Sequence, residues 1–329
     1  MESVNYNGDC GECDIRSKYV DLMTNAGFKA VFGDENNKEV VIKVLNQMLP
    51  GHRHVEDITY LKTEHRGPLL KNKEYHYDFM CRDAGGDTFI VEMQCYPEKY
   101  WFRRCVSYCC RAYDRKSMGG DGSKDKAGKK GGGKKDGEIG KKYNIPPVYF
   151  IGFMGTDIEH PDAEAWEGRY VSEYTFREKT THDLLDETIF LIFAELTRFH
   201  KPLEECVSAQ DKLFYLFKNI GMMEEEDENW RSDEFWEVFF GACEIAAFDE
   251  EKRIQYEQEM YDERRLQGEL DASMEIGLAK GREEGMKAGQ EKGRDEERLR
   301  VARNLRQLGI PAAQIVQATG LSEEQVEAL

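Results

Sequence analysis

The chain has 329 residues, of which 40% are apolar and 11% aromatic, and this composition excludes an intrinsically disordered protein. A formal net charge of −18 excludes tight, sequence-independent binding of nucleic acid by the surface as a whole, because phosphate contacts need clustered lysine and arginine. Nine cysteines, an odd number, and the lack of an apolar run long enough to cross a membrane lead us to expect a soluble protein of the reducing cytoplasm with no membrane partner.

The N-terminal part is predicted to be helical over residues 14–49, because apolar residues keep helical spacing there and Pro50-Gly51 follows. Between the two helices, residues 24–33 followed by 34–37 are predicted to supply a turn and the N-cap of the second helix. Phe28 and Phe32 are one helical turn apart, which favours a place in the core. Lys29, beside them, is either a residue that faces a phosphate or an exposed surface lysine.

A strand over residues 55–63 and a β-hairpin over residues 74–94 are predicted next, with Gly85-Gly86 in the hairpin turn. Folding about this turn puts Asp78 roughly opposite Glu92, and the two-residue period puts Glu92 and Gln94 on one face of their strand. Neighbouring carboxylates repel each other unless a cation lies between them, and oxygen ligands suit Mg²⁺. The alternative interpretation is an amphipathic hairpin with a solvated polar face.

A helix over residues 97–115 is predicted to follow, with Trp101, Cys105, Tyr108 and Ala112 along its apolar stripe. Four arginines give this helix the positive charge that the chain lacks elsewhere: Arg103, Arg104, Arg111 and Arg115. Arg104 is interpreted either as a phosphate contact or as a solvated charge of the helix.

Residues 116–142 contain nine Gly and nine Lys against three Asp and one Glu, a local charge of 9 − 4 = +5. Such a segment cannot bury a core, and disorder is predicted. It is either a basic arm that touches DNA or a solvated linker. Residues 147–154 are apolar throughout, which predicts a central strand.

The C-terminal third is predicted to be mostly helical. One or two further strands are expected in residues 166–181, then two packed helices in residues 203–223 and 233–248. Glycine recurs every four residues from Gly277 to Gly293, which indicates either a marginal solvated helix or one that self-associates. Two short helices are predicted after Arg303, the second capped by Ser322, and a packing or oligomerisation module is favoured there over DNA recognition.

Several of these segments together resemble a known family. Phe28-Lys29-x-x-Phe32-Gly33, a helix ending in Leu45-Asn46-x-x-Leu49, the Asp78-x13-Glu92-x-Gln94 pattern and an Arg104-to-Tyr108 helix occur in this order. The set resembles the PD-(D/E)XK nucleases, in the form used by the Rpn family of recombination-promoting nucleases and transposases. In that superfamily a lysine usually stands where this chain has Gln94, and the E-x-Q form resembles the Rpn branch. An Asp usually precedes the Phe-Lys pair, whereas this chain has Asn25.

The resemblance implies an α/β fold with a PD-(D/E)XK restriction-endonuclease-like core, an αβββαβ mixed sheet flanked by helices, and a helical C-terminal extension. The nuclease-like domain is expected over residues 14–220 with the insert at 116–142. A helical extension (221–265), the glycine-repeat helix (266–300) and a small helix-turn-helix-like unit (301–329) are expected after it.

The function implied is that of a DNA endonuclease dependent on Mg²⁺ or Mn²⁺ and associated with recombination or transposition. Asp78 and Glu92 would hold the metal with the Met93 carbonyl, and Gln94 would orient water or substrate. Three basic residues would contact DNA: Lys29, Arg103 and Arg104. The alternative is a catalytically degenerate nuclease fold that binds DNA or protein as a regulator, with the glycine-repeat helix assembling copies of the chain.

Overall fold

The protein is mixed α/β, with a six-stranded mixed sheet flanked by helices and a long C-terminal helix, as predicted. The computed structural model describes residues 17–61, 64–65, 75–117, 144–162, 164–225, 230 and 233–329. The helices are α1 Asn25–Phe32, α2 Lys38–Met48, α3 Trp101–Ser117, α4 Ala209–Asn219, α5 Glu234–Cys243, α6 Glu250–Gln307, α7 Ala312–Thr319 and α8 Glu323–Glu327. The strands are β1 Ile58–Tyr60, β2 Glu64–His65, β3 Tyr75–His76, β4 Phe79–Asp83, β5 Thr88–Gln94, β6 Val148–Met154, β7 Val171–Thr175 and β8 Ile189–Glu195.

The large sheet has the strand order β1-β4-β5-β6-β8-β7, and β2 and β3 form a separate two-stranded sheet. Strands β5, β6 and β8 run parallel, whereas β1, β4 and β7 pair antiparallel to their neighbours. All seven residues of β5 and all seven of β6 are buried. Strands covered on both faces are apolar runs without alternation, which explains why β6 was recognisable as a central strand.

Two apolar clusters cover the two faces of the sheet. Helices α1, α2, α4 and α5 contribute to the larger cluster, together with the β5 residues Val91 and Met93. Helix α3 supplies the predicted stripe of Trp101, Cys105, Tyr108 and Ala112 to the smaller cluster, with Ile90 from β5. Glu92 and Gln94 have the same parity as Ile90 and therefore lie on the α3 side of the sheet.

Helix α1 corrects one prediction, because Asn25–Phe32, in the segment expected to contain a turn, forms a helix. The Thr24 side chain accepts a hydrogen bond from the Gly27 amide and caps the helix. Gly27 marks a close approach, since a Cβ there would lie 1.9 Å from the Asp21 carbonyl oxygen. Residues 17–23, predicted helical, are irregular. Of the strand expected over 55–63, β1 forms within the described residues 55–61, and residues 62–63 lie outside the described part of the chain.

The predicted disordered insert falls mostly outside the described residues, which break off between 117 and 144. Its first two residues belong to α3 and correct the boundary. Lys116 donates to the Gly86, Pro146 and Pro147 carbonyls, with Nζ–O distances of 2.7, 3.2 and 3.3 Å. These bonds join the end of α3 to the hairpin turn and to the segment before β6.

The chain divides into two compact units, residues 1–263 and 264–329. The second unit contains an apolar cluster of Ala302, Ile315, Leu321 and Val326. Ser322 caps α8 in a capping box with Gln325, as the sequence predicted. The finer four-part division of the chain stays a prediction. In the part of the chain that the structure describes, no helix is both long and apolar enough to cross a membrane.

The beginning of α6 is attached to the end of α1 by an ion pair between Lys252 and Asp34. Burial on its own would raise the pKa of Asp34, but hydrogen bonds from Lys252 and from the Asn36 amide outweigh it and hold the pKa below 3.8. A lowered pKa in the folded state means that the pair stabilises the protein above the pKa of the unfolded chain. That stabilisation is lost as the pH falls through the folded-state pKa.

We therefore expect Asp34→Asn, which keeps a capping oxygen but removes the charge, to lower the unfolding free energy at neutral pH by about 0.5–1 kcal/mol. The difference in unfolding free energy from the unsubstituted protein should shrink below a pH of about 4, where the Asp34 carboxyl becomes protonated first in the unfolded and then in the folded protein. Urea unfolding at several pH values measures this. Glu257→Gln, on an exposed α6 pair with Arg253, serves as the matched control. A pH-independent difference would contradict the assignment.

Candidate metal and nucleic-acid site

Two acidic residues meet where β4 begins and β5 ends. Phe79 pairs with Val91, so Asp78 and Glu92 are the next two residues along this antiparallel ladder. The Asp78 Oδ2 atom accepts a hydrogen bond of 2.8 Å from the Met93 amide, which fixes the carboxylate against β5. The hairpin therefore brings together the two carboxylates that the sequence pattern singled out.

Both carboxyl groups are removed from water, and their electrostatics follow from this. Burial raises the pKa of Asp78, against the opposing effects of Lys29 and of the Met93 amide. Burial and the charge of Asp78 raise the pKa of Glu92 well above 4.5, and Arg104 only partly compensates. Each carboxylate thus favours either a proton or an additional positive charge beside it.

Arg104 is the main cation on the α3 side. Its Nη2 atom lies 3.8 Å from Glu92 Oε2 and donates to Gln94 Oε1 at 3.1 Å, and its Nη1 atom lies 2.8 Å from Glu98 Oε2. The guanidinium also lies over the Trp101 ring at 4.6 Å. Arg104 of α3 thus contacts two of the three motif residues, Glu92 and Gln94.

Gln94 is fixed at both ends of its amide. While its Oε1 accepts from Arg104, its Nε2 donates to the Tyr96 carbonyl at 2.5 Å. The side chain is only 9% exposed. A neutral amide therefore stands where the resemblance places lysine, and the nearest positive charge on this side comes from Arg104.

The remaining two predicted basic residues have different surroundings. Lys29, at 46% exposure, places Nζ 3.6 Å from Asp78 Oδ1, so it adjoins the carboxylate pair from α1. Arg103 is exposed, and its guanidinium carbon lies 5.9 Å from the Tyr100 ring centre. Among the described residues, Lys29 and Arg104 form the ion pairs of Asp78 and Glu92, and Arg103 does not.

The donor set fits a hard divalent cation. Glu92 Oε1 is buried and has no hydrogen-bond partner among the described residues, so one oxygen of this carboxylate is available for a ligand. No group of three or more His, Cys, Asp or Glu side chains is gathered as a metal site in the described ranges. Two carboxylates, supplemented by water or a backbone carbonyl, suit Mg²⁺ or Mn²⁺ better than a soft metal. Met93 offers only its backbone, because its side chain is buried in the larger cluster.

A second buried acid, Glu195, was not predicted as a site residue. The register from Gln94 to Met154 to Glu195 puts it in the same row of the parallel strands. Its Oε1 lies 2.8 Å from His160 Nε2, and its Oε2 lies 3.7 Å from Arg198 Nη1. The Glu195-x-x-Arg198 pair is visible in the sequence, but His160 is 35 residues away and no local pattern connects it to them.

Glu263 of α6 was also missed, and it occupies the place next to Asn25. Its Oε1 atom accepts from the Asn25 amide and from Asn25 Nδ2, both at 3.1 Å, and its Oε2 accepts from the Ala26 amide at 3.3 Å. The Tyr96 hydroxyl lies 3.4 Å from the same Oε1. A carboxylate is thus present beside the start of α1, although it comes from a residue 238 positions away.

The fold and the site together define a nuclease-like α/β protein. A sequence profile of the PD-(D/E)XK nuclease family transposase matches residues 22–273, and the chain belongs to this family. No curated protein and no solved structure matches the chain. Members of PD-(D/E)XK families are generally phosphodiester hydrolases that typically use a divalent metal and act on DNA. The narrower assignment to the Rpn branch stays a prediction.

We expect Glu92→Gln to melt at the same or a higher temperature than the unsubstituted protein in EDTA at neutral pH. The substitution removes a buried charge that lies beside a second carboxylate, and it keeps the shape of the side chain. Adding Mg²⁺ or Mn²⁺ should raise the melting temperature of the unsubstituted protein, since a ligand that binds only the folded state stabilises it. The variant should show little or none of that increase.

Glu173→Gln is the matched control, because Glu173 is an exposed residue of β7, a strand that is not next to β5. Its response to metal should equal that of the unsubstituted protein. An unchanged metal response in Glu92→Gln would exclude Glu92 as a ligand.

Proposed function

We propose that the protein is a DNA endonuclease that depends on Mg²⁺ or Mn²⁺, of the type associated with recombination or transposition. The observation that carries this proposal is the pair of half-buried Asp78 and buried Glu92, flanked by Lys29 and Arg104 and with Glu92 Oε1 unpaired among the described residues. A divalent ion bound there would supply Lewis-acid chemistry and a water of lowered pKa. Family membership supports the same reaction class.

Each residue of the candidate site has a distinct role in this proposal. Asp78 and Glu92 would hold the cation, and the Met93 amide keeps Asp78 oriented through its 2.8 Å hydrogen bond. The Met93 carbonyl is the proposed third protein ligand. Lys29 and Arg104 stabilise the negative charge that grows on the phosphate in the transition state, because they lie in a partly dry site where charge interactions are strong. Arg103, which is exposed, contacts the DNA backbone farther from the reaction.

Gln94 has a positioning role in this proposal. An amide neither carries a charge nor acts as a general base near neutral pH, so Gln94 cannot replace the family's lysine chemically. It instead holds the guanidinium of Arg104 by its Oε1 atom. We propose that Arg104 supplies the positive charge in place of that lysine.

The net charge of −18 does not conflict with DNA as the substrate. Cations at the candidate site come from α1 and α3. Binding is therefore expected to be local and limited to a few phosphates, with a correspondingly small dependence on salt.

Self-association through α6 is the second part of the proposal. The five glycines from Gly277 to Gly293 have open space where a Cβ would be, so a second helix can approach closely along them. An isolated helix with so many glycines is marginal, and pairing with another copy would offset that cost. The mass of the full chain in solution distinguishes an assembled protein from a solvated monomer. A monomer at all concentrations would exclude self-association.

Supercoiled plasmid should be nicked or linearised with Mg²⁺ or Mn²⁺ and left intact with EDTA. Asp78→Asn and Glu92→Gln should each reduce the rate by at least about 100-fold, because metal catalysis contributes several kcal/mol. Glu173→Gln, an exposed change on β7, is the control for purification and folding. If no metal supports cleavage by a folded protein, the chain is instead the catalytically degenerate DNA- or protein-binding regulator.

A charge exchange tests the role of Arg104. Arg104→Met should lower the cleavage rate by about 10-fold to 1,000-fold, the range seen when one stabilising group is removed. Adding Gln94→Lys to Arg104→Met should restore part of that rate, because the ammonium then returns a positive charge to the same carboxylate. Gln94→Lys by itself should not accelerate cleavage, since two cations would then compete for Glu92. An Arg104→Met protein with full activity would contradict this role.

A further inference from the structure

Two aromatic side chains are exposed beside the candidate site. Tyr100, directly before α3, is 56% exposed, and Phe102, in its first turn, is 45% exposed. Burial of an aromatic ring of this size is normally favourable. Two rings that stay exposed beside the candidate site therefore form a surface available to a ligand.

The two rings have different neighbours. Phe102 packs edge-on against the buried ring of Phe193, with centres 5.3 Å apart and an angle of 81° between the planes. Tyr100 has Lys99 Nζ 5.5 Å from its ring centre and the Arg103 guanidinium carbon at 5.9 Å. Phe102 is thus packed on the core and Tyr100 has two cations beside it, and we call these two exposed rings the aromatic platform of Tyr100 and Phe102.

A cleft of about 450 Å³ connects Phe102 with Gln94 of the motif, and Tyr100 lies just outside its lining, next to Lys99. Its lining includes Gln94, Lys99, Trp101, Phe102, Thr156 and Asp157. Glu98 and Asp157 are the two acidic residues of this lining. Both already have partners, because Glu98 pairs with Arg104 and Asp157 accepts a hydrogen bond from Thr197 Oγ1. Trp101 Nε1 is buried and has no hydrogen-bond acceptor in the described part of the chain.

We propose that the aromatic platform stacks on unpaired bases, so that the substrate is single-stranded or locally unpaired DNA. This inference rests on the proposed nuclease function and specifies its substrate. The flat faces of bases inside a duplex are covered by their neighbours, and only an unpaired base offers a face to Tyr100 or Phe102. Stacking also adds affinity without further phosphate contacts, which suits a chain of net charge −18.

The test measures binding by fluorescence anisotropy in the Glu92→Gln protein, in which cleavage is expected to be lost and a buried negative charge is removed. Three labelled DNAs of equal length are the probes: an oligothymidylate, a duplex and a strand of abasic sites. The abasic strand carries the same phosphates but no bases. We expect the oligothymidylate to bind about fivefold or more tightly than the other two, the equivalent of one stacked base.

Tyr100→Ala and Phe102→Ala, added to that protein, should each weaken oligothymidylate binding by about fivefold or more and leave abasic-strand binding unchanged. Tyr100→Trp should retain binding, because it keeps a stacking surface. Phe176→Ala is the matched control: Phe176 is 53% exposed and adjoins Thr175, which pairs with Phe190 at the opposite end of β8 from Glu195. It should bind like the parent.

Equal binding of the oligothymidylate and the abasic strand would overturn the proposal. So would equal or tighter binding of the duplex, unchanged binding in both alanine variants, or no binding of any DNA. A solution mass that changes in the alanine variants while DNA binding does not would assign the platform to contacts between copies.

The failure of this inference is distinguishable from failure of the nuclease function. Metal-dependent cleavage without any preference for unpaired bases would contradict the role of the aromatic platform and support the nuclease function. The opposite outcome is a protein that prefers unpaired bases, loses this preference in the Tyr100 and Phe102 variants, and cleaves no DNA. That result would support the aromatic platform and contradict the nuclease function.

Discussion

The rest of the site depends on two carboxylates, one buried and one half-buried, that the sheet brings to one point. Asp78 and Glu92 gain this position from backbone pairing, because the β4–β5 ladder and the Met93 amide fix them independently of their charge. Their mutual repulsion and loss of hydration are costs that the fold has to offset. Lys29 from α1 and Arg104 from α3 do so from two helices, so the arrangement of both helices around β5 is part of the site.

The sequence predicted those parts of the protein that local patterns determine. Strand β6 is apolar throughout because both its faces are covered, and folding about the Gly85-Gly86 turn puts Asp78 opposite Glu92. Helix α1 was mistaken for a turn because Gly27 and Gly33 are common in turns. The reason for Gly27 lies outside the helix, in its contact with the Asp21 carbonyl oxygen. A single sequence shows that a glycine is present but not which neighbour requires it.

The residues that the sequence did not reveal are those brought to the site by long-range packing. Glu263 lies 238 positions after Asn25, and His160 lies 35 positions before Glu195. Neither distance corresponds to the period of a helix or a strand. Asn25 suggested that an acidic group had been lost near α1, whereas the structure places the Glu263 carboxylate against its amide nitrogen. The chemical character of a position therefore depends on its neighbours in space as well as on its own side chain.

The two oxygens of Glu92 explain how a metal and an arginine can share one carboxylate. Oε2 lies 3.8 Å from Arg104, whereas Oε1 has no partner among the described residues. A cation at Oε1 would therefore not have to displace the guanidinium, and each positive charge would favour the ionised carboxylate that the other needs. A lysine at position 94 would share this strand with Glu92 and compete with Arg104 for Oε2. The amide of Gln94 instead accepts a hydrogen bond from Arg104, so replacing the family's lysine by glutamine is consistent with an arginine supplied from α3.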